Sequence, residues 1–185
     1  MSPIYPFSLF GRSLDGCMEG DAANCKKATG RRVLKMYQKV LVPLDSSELA
    51  ECALPEVKKL AGGGFIGEVI LLNVVEIDLM GIPTTHTRII DINALRNAHL
   101  DKSRKYLEKI QSGLISEGIK VKNESLEGTP AQTIVNYAET NAVDLIVIAT
   151  HGYTGMKKLM FGSVALRVLH DSHVPVLLIR PESCR

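Results

Sequence analysis

Apolar and polar residues follow one another along the chain in a way that predicts alternating strands and helices. Four runs of aliphatic residues, and one segment with inner positions Ile119, Val121 and less regularly Leu126, are separated by segments in which apolar residues recur at three- and four-residue spacings. The predicted strands are KVLVPLD (39–45), EVILLNVVEI (68–77), IKVKNESLEG (119–128), DLIVIA (144–149) and VPVLLIR (174–180). Strand and helix therefore alternate from residue 38 to residue 180, which predicts an α/β fold with a parallel sheet covered on both faces.

The helices between these strands are predicted at about 48–60, 89–117, 129–140 and 163–171. Ser46 and Ser47 are caps for the first of them, and Pro130 is acceptable in the first turn of the third. The long second helix carries one face of regularly spaced residues. That face comprises Ile92, Leu95, His99, Leu107, Ile110 and Leu114.

Residues 1–35 differ from the rest of the chain. They contain aromatic, proline and glycine residues without sustained periodicity and end in a basic stretch. This composition is typical of a flexible or loosely docked extension, and a functional arm is the alternative. We therefore divide the chain into an N-terminal extension, 1–35, and one α/β domain, 36–185.

Composition limits the classes of function. The chain has 22 Lys and Arg against 20 Asp and Glu, a net charge of +2, so no strong overall field attracts nucleic acid or an anionic membrane. Its four cysteines form no CxxC pair, and scattered thiols of this kind suit a reducing cytosol. No apolar run approaches the roughly 20 residues that a membrane helix needs. We expect a cytoplasmic protein that binds neither nucleic acid nor membrane.

The segment after the fourth predicted strand carries the candidate chemistry. Gly152, Gly155 and Gly162 lie between that strand and the following helix, which Ser163 begins. Glycines that leave backbone N–H groups uncovered, facing a helix N-terminus, are suited to holding phosphate. The alternative is that the glycines only form turns and that Ser163 only caps the helix.

The end of the first predicted strand supplies candidate residues for a second side of the binding site. In an open parallel sheet the binding crevice lies beyond the carboxyl ends of the strands, where the strand order reverses. If the first and fourth strands are neighbours, Pro43, Leu44 and Asp45 lie beside residues 149–155. Asp45 then either accepts hydrogen bonds from a ligand or caps the following helix. His151 contacts either the ligand or solvent.

At these residues the chain resembles the universal stress protein family, in its nucleotide-binding branch. The family pattern is Gly, two residues, Gly, nine residues, then Gly and Ser or Thr. Here it reads Ala149-Thr-His-Gly152, nine residues, Gly162-Ser163. The resemblance extends over about residues 36–181. Ala149 replaces the first glycine, and we expect this to weaken nucleotide binding rather than abolish it.

The resemblance implies a five-stranded, Rossmann-like sheet of the adenine-nucleotide alpha-hydrolase type, in the order 3-2-1-4-5. It also implies ATP in the crevice, with Mg²⁺ or Mn²⁺ bound through the phosphates, and a homodimer. By position in the motif, adenine and ribose would be surrounded by Pro43, Asp45 and Val74. Ribose and phosphates would be held by Ala149, His151, Gly152, Gly162, Ser163 and Val164.

The dimer has a physical argument of its own. The strand from Val174 to Ile179 ends the topology, and an exposed apolar edge strand favours pairing with a second chain. The alternative is that residues 1–35 cover this edge.

We therefore expect an ATP-binding switch or sensor in a stress response. One alternative is a nucleotide-free stress protein that acts through protein contacts. Another is an enzyme that hydrolyses ATP slowly, with at most weak ATPase activity. Nucleotidyl transferases and ATP pyrophosphatases of similar architecture carry SGGxDS or HxGH motifs. This chain has LDSSEL at the first place and a single His151-Gly152 pair at the second, so no catalytic residue is predicted.

Overall fold

The computed structural model describes residues 36–77, 92–150 and 162–180. The predicted extension, the predicted loop at 78–88 and most of the glycine segment lie outside these ranges. The described elements are β1 (Tyr37–Pro43), α1 (Glu48–Glu51), α2 (Leu54–Gly62), β2 (Ile66–Val75), α3 (Ile92–Ser116), β3 (Val121–Glu127), α4 (Pro130–Thr140), β4 (Leu145–Ala149), α5 (Ser163–Asp171) and β5 (Val176–Ile179).

The five described strands form one sheet in the order β3-β2-β1-β4-β5, and every neighbouring pair is parallel. This confirms the predicted fold class and strand order. β1 is central, since Val40 is in register with Val69 of β2 on one side and with Leu145 of β4 on the other. The chain moves outward from β1 in one direction and then from β4 in the other. The carboxyl ends of β1 and β4 therefore border the point where the order reverses.

Helices cover both faces of the sheet, so consecutive residues of β1 enter different cores. Val40 belongs to a cluster with Val57 of α2 and Leu107 of α3. Leu41 belongs to a second cluster with Ile134 of α4. All four of the residues 40–43 are buried. Burial on both faces explains why the strands appear in the sequence as continuous apolar runs.

The single helix predicted at 48–60 is wrong, because the structure has two helices there. α1 ends at Glu51, and α2 begins at Leu54 with Pro55 in its first turn. A proline ring lacks the N–H that would continue the helix and clashes with the carbonyl four residues earlier, here that of Glu51. The proline is therefore compatible with a new helix start and not with the interior of a continuous helix.

The predicted inner face of α3 is only partly correct. Leu107 and Leu114 are 0% and 1% exposed, whereas Ile92 is 41% exposed and His99 also lies at the surface. The first two turns of the described helix bury no residue, so the core-facing stretch begins later than the spacing suggested. A buried polar residue, Ser103, lies on this face and was not predicted.

Two further expectations concern the membrane and the cysteines. Over the described ranges, the helices are too short or too polar to cross a bilayer. Cys52 is 8% exposed, and the other three cysteines lie outside the described residues.

Candidate functional site

A cavity of about 290 Å³ opens beyond the carboxyl ends of β1 and β4. This volume is just below the range of roughly 300–1,000 Å³ that is typical of small-molecule sites. Its walls come from the β1–α1 segment, β2, α4, the end of β4 and the first turn of α5. The lining residues are Pro43, Leu44, Asp45, Ser47, Leu49, Ala50, Leu72, Val74, Pro130, Ile134, Ile148, Ala149, Thr150, Ser163, Val164 and Ala165.

The inner wall of the cavity is apolar, and its rim carries the polar groups. Leu72, Ile134 and Ile148 are 0%, 3% and 5% exposed and belong to the second core cluster. Asp45 and Ser163 are exposed at the rim. An apolar wall with a few polar groups that can orient a ligand is typical of a small-molecule site.

The β1–α1 segment forms a tight polar turn at the rim. Oδ1 of Asp45 accepts hydrogen bonds from the backbone N–H of Ser47 at 2.9 Å and from its Oγ at 2.5 Å. Oγ of Ser47 in turn accepts from the N–H of Ala50 at 3.1 Å and caps α1. Ser46, between them, has a φ of 68°, in the left-handed region that non-glycine residues seldom adopt. One oxygen of Asp45 thus holds the turn, but the helix cap is Ser47 and not Asp45, so the capping alternative for Asp45 is wrong.

The second carboxylate oxygen of Asp45, Oδ2, has no hydrogen-bond partner among residues 36–77, 92–150 and 162–180. Because the side chain is exposed at the rim, this oxygen can accept a hydrogen bond from a ligand hydroxyl while Oδ1 keeps the turn in place. The role of Oδ1 in the turn is therefore compatible with a ligand contact by Oδ2.

Behind this turn lies a buried row of polar side chains. Nδ2 of Asn73 donates to the carbonyl oxygen of Leu44 at 2.6 Å, and Oδ1 of Asn73 accepts from Oγ of Ser103 at 2.8 Å. Oγ of Ser103 lies 2.6 Å from Oγ of Ser125 on β3. The row connects α3 and β3 through β2 to the last residue before Asp45. One signal in the sequence could have indicated it, namely a single Asn within the aliphatic run of β2.

Tyr106 of α3 makes a second connection to the β1–α1 side of the cavity. Its hydroxyl donates to Oε1 of Glu51 at 3.0 Å, at the end of α1. Burial raises the pKa of Tyr106 well above its ordinary value, and the carboxylates of Glu51 and Asp45 raise it further. The phenol therefore remains a hydrogen-bond donor over the physiological pH range.

The opposite wall is the N-terminus of α5. Gly162 occupies the N-cap position with φ −57° and ψ 142°, and no side chain caps the helix. Its carbonyl accepts the first helical hydrogen bond, from the N–H of Leu166 at 2.9 Å. Ser163, Val164 and Ala165, the first three helical residues, all line the cavity. N–H groups at an uncapped helix start carry a partial positive charge and favour an anion.

Ala149 stands where the family pattern has a glycine. It is the last residue of β4 and pairs with Ile179 of β5. The N–H of Thr150 continues the ladder by donating to the carbonyl of Ile179 at 2.8 Å. Ala149 is thus in extended strand conformation, which alanine adopts without strain. Ala149 therefore lacks the positive φ that would favour a glycine.

The structure brings many of the predicted site residues together. Those that line the cavity are Pro43, Leu44, Asp45, Val74, Ala149, Ser163 and Val164. Gly162 adjoins it as the N-cap of α5. His151, Gly152 and Gly155 lie outside the described residues.

Sequence reasoning missed the inner apolar wall of the cavity and several neighbouring residues. The additional lining residues are Ser47, Leu49, Ala50, Leu72, Pro130, Ile134, Ile148, Thr150 and Ala165. Leu72 precedes Val74 by two residues and therefore shares its face of β2. That periodicity was a usable signal, whereas the contribution of α4 depends on tertiary packing.

The described residues contain no group of three or more His, Cys, Asp or Glu side chains that could hold a metal ion.

A family profile, curated relatives and solved structures all match this chain to the same family. The profile of the Universal stress protein family matches residues 36–180. Universal stress protein MJ0577 of Methanocaldococcus jannaschii is 35% identical over 156 residues, which covers 78% of this chain and 96% of the relative. Its solved structure superposes with a TM-score of 0.61. The structure of UspA from Lactobacillus plantarum is 26% identical, covers 78% of this chain and 98% of its own, and has a TM-score of 0.64.

Two more distant solved structures share the fold and contain nucleotides. A universal stress protein family protein from Arabidopsis thaliana with AMP bound is 17% identical, covers 77% of this chain and 91% of its own, and has a TM-score of 0.55. A universal stress protein in complex with cAMP is 20% identical, covers 78% and 98%, and has a TM-score of 0.52. At these identities the similarity concerns the fold.

Proposed function

Because the chain belongs to the universal stress protein family, we propose that it binds ATP in the cavity between β1 and α5 and acts as a nucleotide-dependent switch or sensor in a cytoplasmic stress response. The observation that carries this proposal is the uncapped N-terminus of α5, whose first residues face the cavity. In a site of this kind the helix supplies donors to phosphate oxygens.

The shape of the cavity supports an adenine nucleotide. The apolar wall of Leu72 and Ile134 suits the flat face of a base, and Oδ2 of Asp45 suits a ribose hydroxyl. The phosphates would then extend toward Ser163 and Val164. Two proteins of the same fold have been solved with AMP and with cAMP bound, which supports the same ligand class here. Mg²⁺ or Mn²⁺ would be held chiefly by the phosphates.

Titration calorimetry with ATP, ADP and AMP tests the proposal. We expect saturable binding with one nucleotide per chain. ATP should bind about tenfold more tightly than AMP, because its outer phosphates accept additional charge-assisted hydrogen bonds at the helix start. Absence of binding at millimolar ATP would favour the nucleotide-free alternative. Rapid turnover of Mg²⁺-ATP, measured as released phosphate, would favour an enzyme.

We also propose that the protein is a homodimer that pairs through the strand from Val174 to Ile179. β5 is an edge of the described sheet, and all four of its residues are only half-buried. Leu166 and Leu169 of α5, which packs against β5, are 52% and 44% exposed. A half-buried apolar edge strand beside exposed leucines favours pairing with a second copy.

The register of β5 predicts a variant that disrupts pairing between chains while preserving the sheet within each chain. The N–H of Ile146 donates to the carbonyl of Pro175, and that of Thr150 donates to the carbonyl of Ile179. Backbone groups at odd-numbered positions of β5 therefore face β4, and those of Leu178 face outward. Leu178→Pro removes one outward N–H per chain and should raise the dimer dissociation constant at least about tenfold.

Light scattering across a dilution series measures this effect. Leu178→Ala is the matched control, since it also loses the leucine side chain but retains the N–H group. We expect the alanine variant to remain closer to wild type than the proline variant. Equal dissociation constants for the two variants would contradict pairing through the backbone of β5.

A further inference from the structure

We propose that Asn73 is a positioning residue of the nucleotide site, because it fixes the Leu44 carbonyl and, through it, the turn that presents Asp45. This inference rests on the proposed nucleotide-binding function. Asn73 does not line the cavity, and it reaches the site only through the backbone of Leu44. Its side chain is the last member of a hydrogen-bonded row that begins on β3.

The donor and acceptor roles along this row are determined by chemistry. The carbonyl oxygen of Leu44 can only accept, so the amide nitrogen of Asn73 must face it. Oδ1 of Asn73 then accepts the single hydroxyl hydrogen of Ser103, which leaves Ser125 to donate to Ser103. Every hydrogen bond in the row therefore points toward the site, and the orientation of the amide is uniquely set.

Core stability alone does not call for such a row. Asn73 and Ser103 are 6% and 5% exposed among aliphatic neighbours. Burial of polar groups is costly unless each has a partner, and apolar residues of similar shape would often be at least as stabilising. A fully satisfied polar row instead selects one geometry. Here the geometry that it selects is the backbone position at the end of β1.

The turn beyond Leu44 needs this support. Ser46 has a φ of 68°, a conformation that persists only when its surroundings enforce it. On one side the backbone is held at Leu44, whose N–H donates to Leu72 at 2.8 Å and whose carbonyl is held by Asn73. On the other side Oδ1 of Asp45 accepts a hydrogen bond from the N–H of Ser47, the residue after Ser46. Loss of the hydrogen bond from Asn73 to the Leu44 carbonyl should therefore allow the turn to relax and Asp45 to move.

The variant Asn73→Asp tests this inference, because its new carboxyl group can be switched by pH. Ionised, it cannot donate to the Leu44 carbonyl and repels it; neutral, it donates through its O–H. Burial favours the neutral form, so the pKa of the new carboxyl group is raised. We expect ATP affinity about tenfold below wild type at pH 9, with recovery to within about twofold at pH 5.5.

The readout is the ratio of the variant and wild-type dissociation constants at each pH, measured by calorimetry. The ratio cancels the titration of the nucleotide and of Asp45, Glu51 and Tyr106, which both proteins share. The new carboxylate also lowers folding stability as the pH rises, so thermal unfolding must show that the variant is folded at each pH. In the folded variant, a merely structural role leaves the ratio independent of pH. A ratio that stays near one at pH 9, or one that does not fall as the pH is lowered, would overturn the inference.

Two further variants keep the test decisive. Val121→Ala removes buried side-chain atoms at the start of β3, outside the cavity lining, and should lower stability with less than a twofold change in ATP affinity. Ser103→Ala leaves Asn73 in place but removes the donor that orients it. If Asn73→Asp does not fold, Ser103→Ala should still weaken ATP binding about threefold, with no pH-dependent ratio.

Failure of this inference and failure of the proposed function are distinguishable. A wild-type protein that does not bind ATP at any pH contradicts the proposed function. A wild-type protein that binds ATP, together with folded variants of Asn73 and Ser103 that bind it equally well, contradicts only the positioning role.

Discussion

Replacement of Gly162 by aspartate should abolish ATP binding and leave the domain at least as stable as the wild type. Gly162 is the N-cap of α5, and its φ and ψ are allowed for any residue. Aspartate is among the best N-cap residues, because its carboxylate accepts hydrogen bonds from the first N–H groups of the helix. These are the same groups that we assign to the phosphates.

The expected loss follows from the contacts that the new carboxylate would occupy. A hydrogen bond to a charged group contributes about 1.5–3 kcal/mol, so the loss of two of them weakens binding by about 100-fold or more. Repulsion between the carboxylate and the phosphates adds to this loss. The variant should also unfold at an equal or higher temperature, since an N-cap is gained.

Gly162→Ala is the control for the added Cβ, because alanine neither caps the helix nor carries a charge. We expect it to bind ATP within a fewfold of wild type. Calorimetry gives the affinities and thermal unfolding gives the stabilities. If Gly162→Asp binds ATP normally, the phosphates do not lie at the start of α5, and the site assignment is wrong.

The fold was predictable because its three central strands, β2, β1 and β4, are largely buried on both faces. Residues such as Val40 and Leu41 contribute to different core clusters, which produces continuous aliphatic runs that sequence reasoning recognises readily. The alternation of these runs with helical spacings then allows few topologies. The first helix was not predicted correctly, because local capping signals were weighed without the effect of Pro55 on the preceding turn.

The site was predictable where it depends on backbone geometry at strand ends. Asp45 and Ser163 follow directly from the positions of β1 and α5. The apolar wall was missed, because Ile134 of α4 reaches the cavity only through the packing of that helix on the sheet. The row behind Leu44 was missed for the same reason. Ser103 and Asn73 are 30 residues apart, and neither residue type signals a partner at that distance.

A second large effect is expected in the core. Leu114→Ala should lower the free energy of unfolding by about 2–5 kcal/mol, whereas Ile115→Ala should change it by less than about 1 kcal/mol. The two residues are adjacent on α3, but Leu114 is 1% exposed and Ile115 is 52% exposed. Truncation of Leu114 leaves a cavity between α3 and the sheet. Truncation of Ile115 removes atoms that already contact water.

Denaturant unfolding at matched protein concentration measures both values, since dissociation of the proposed dimer would otherwise contribute to each. The carbonyl of Leu114 also accepts the N–H of Ile119, which lies beyond the turn at Gly118 that ends α3. The Leu114 side chain thus packs at the point where the chain passes from α3 to β3. Its truncation should therefore also weaken the link between α3 and β3, the strand that carries Ser125. If both variants cost the same, α3 does not dock through the face that carries Leu114. In that case α3 would not hold Ser103 firmly in place, and the buried row from Ser125 through Ser103 to Asn73 would lack a rigid support on this helix.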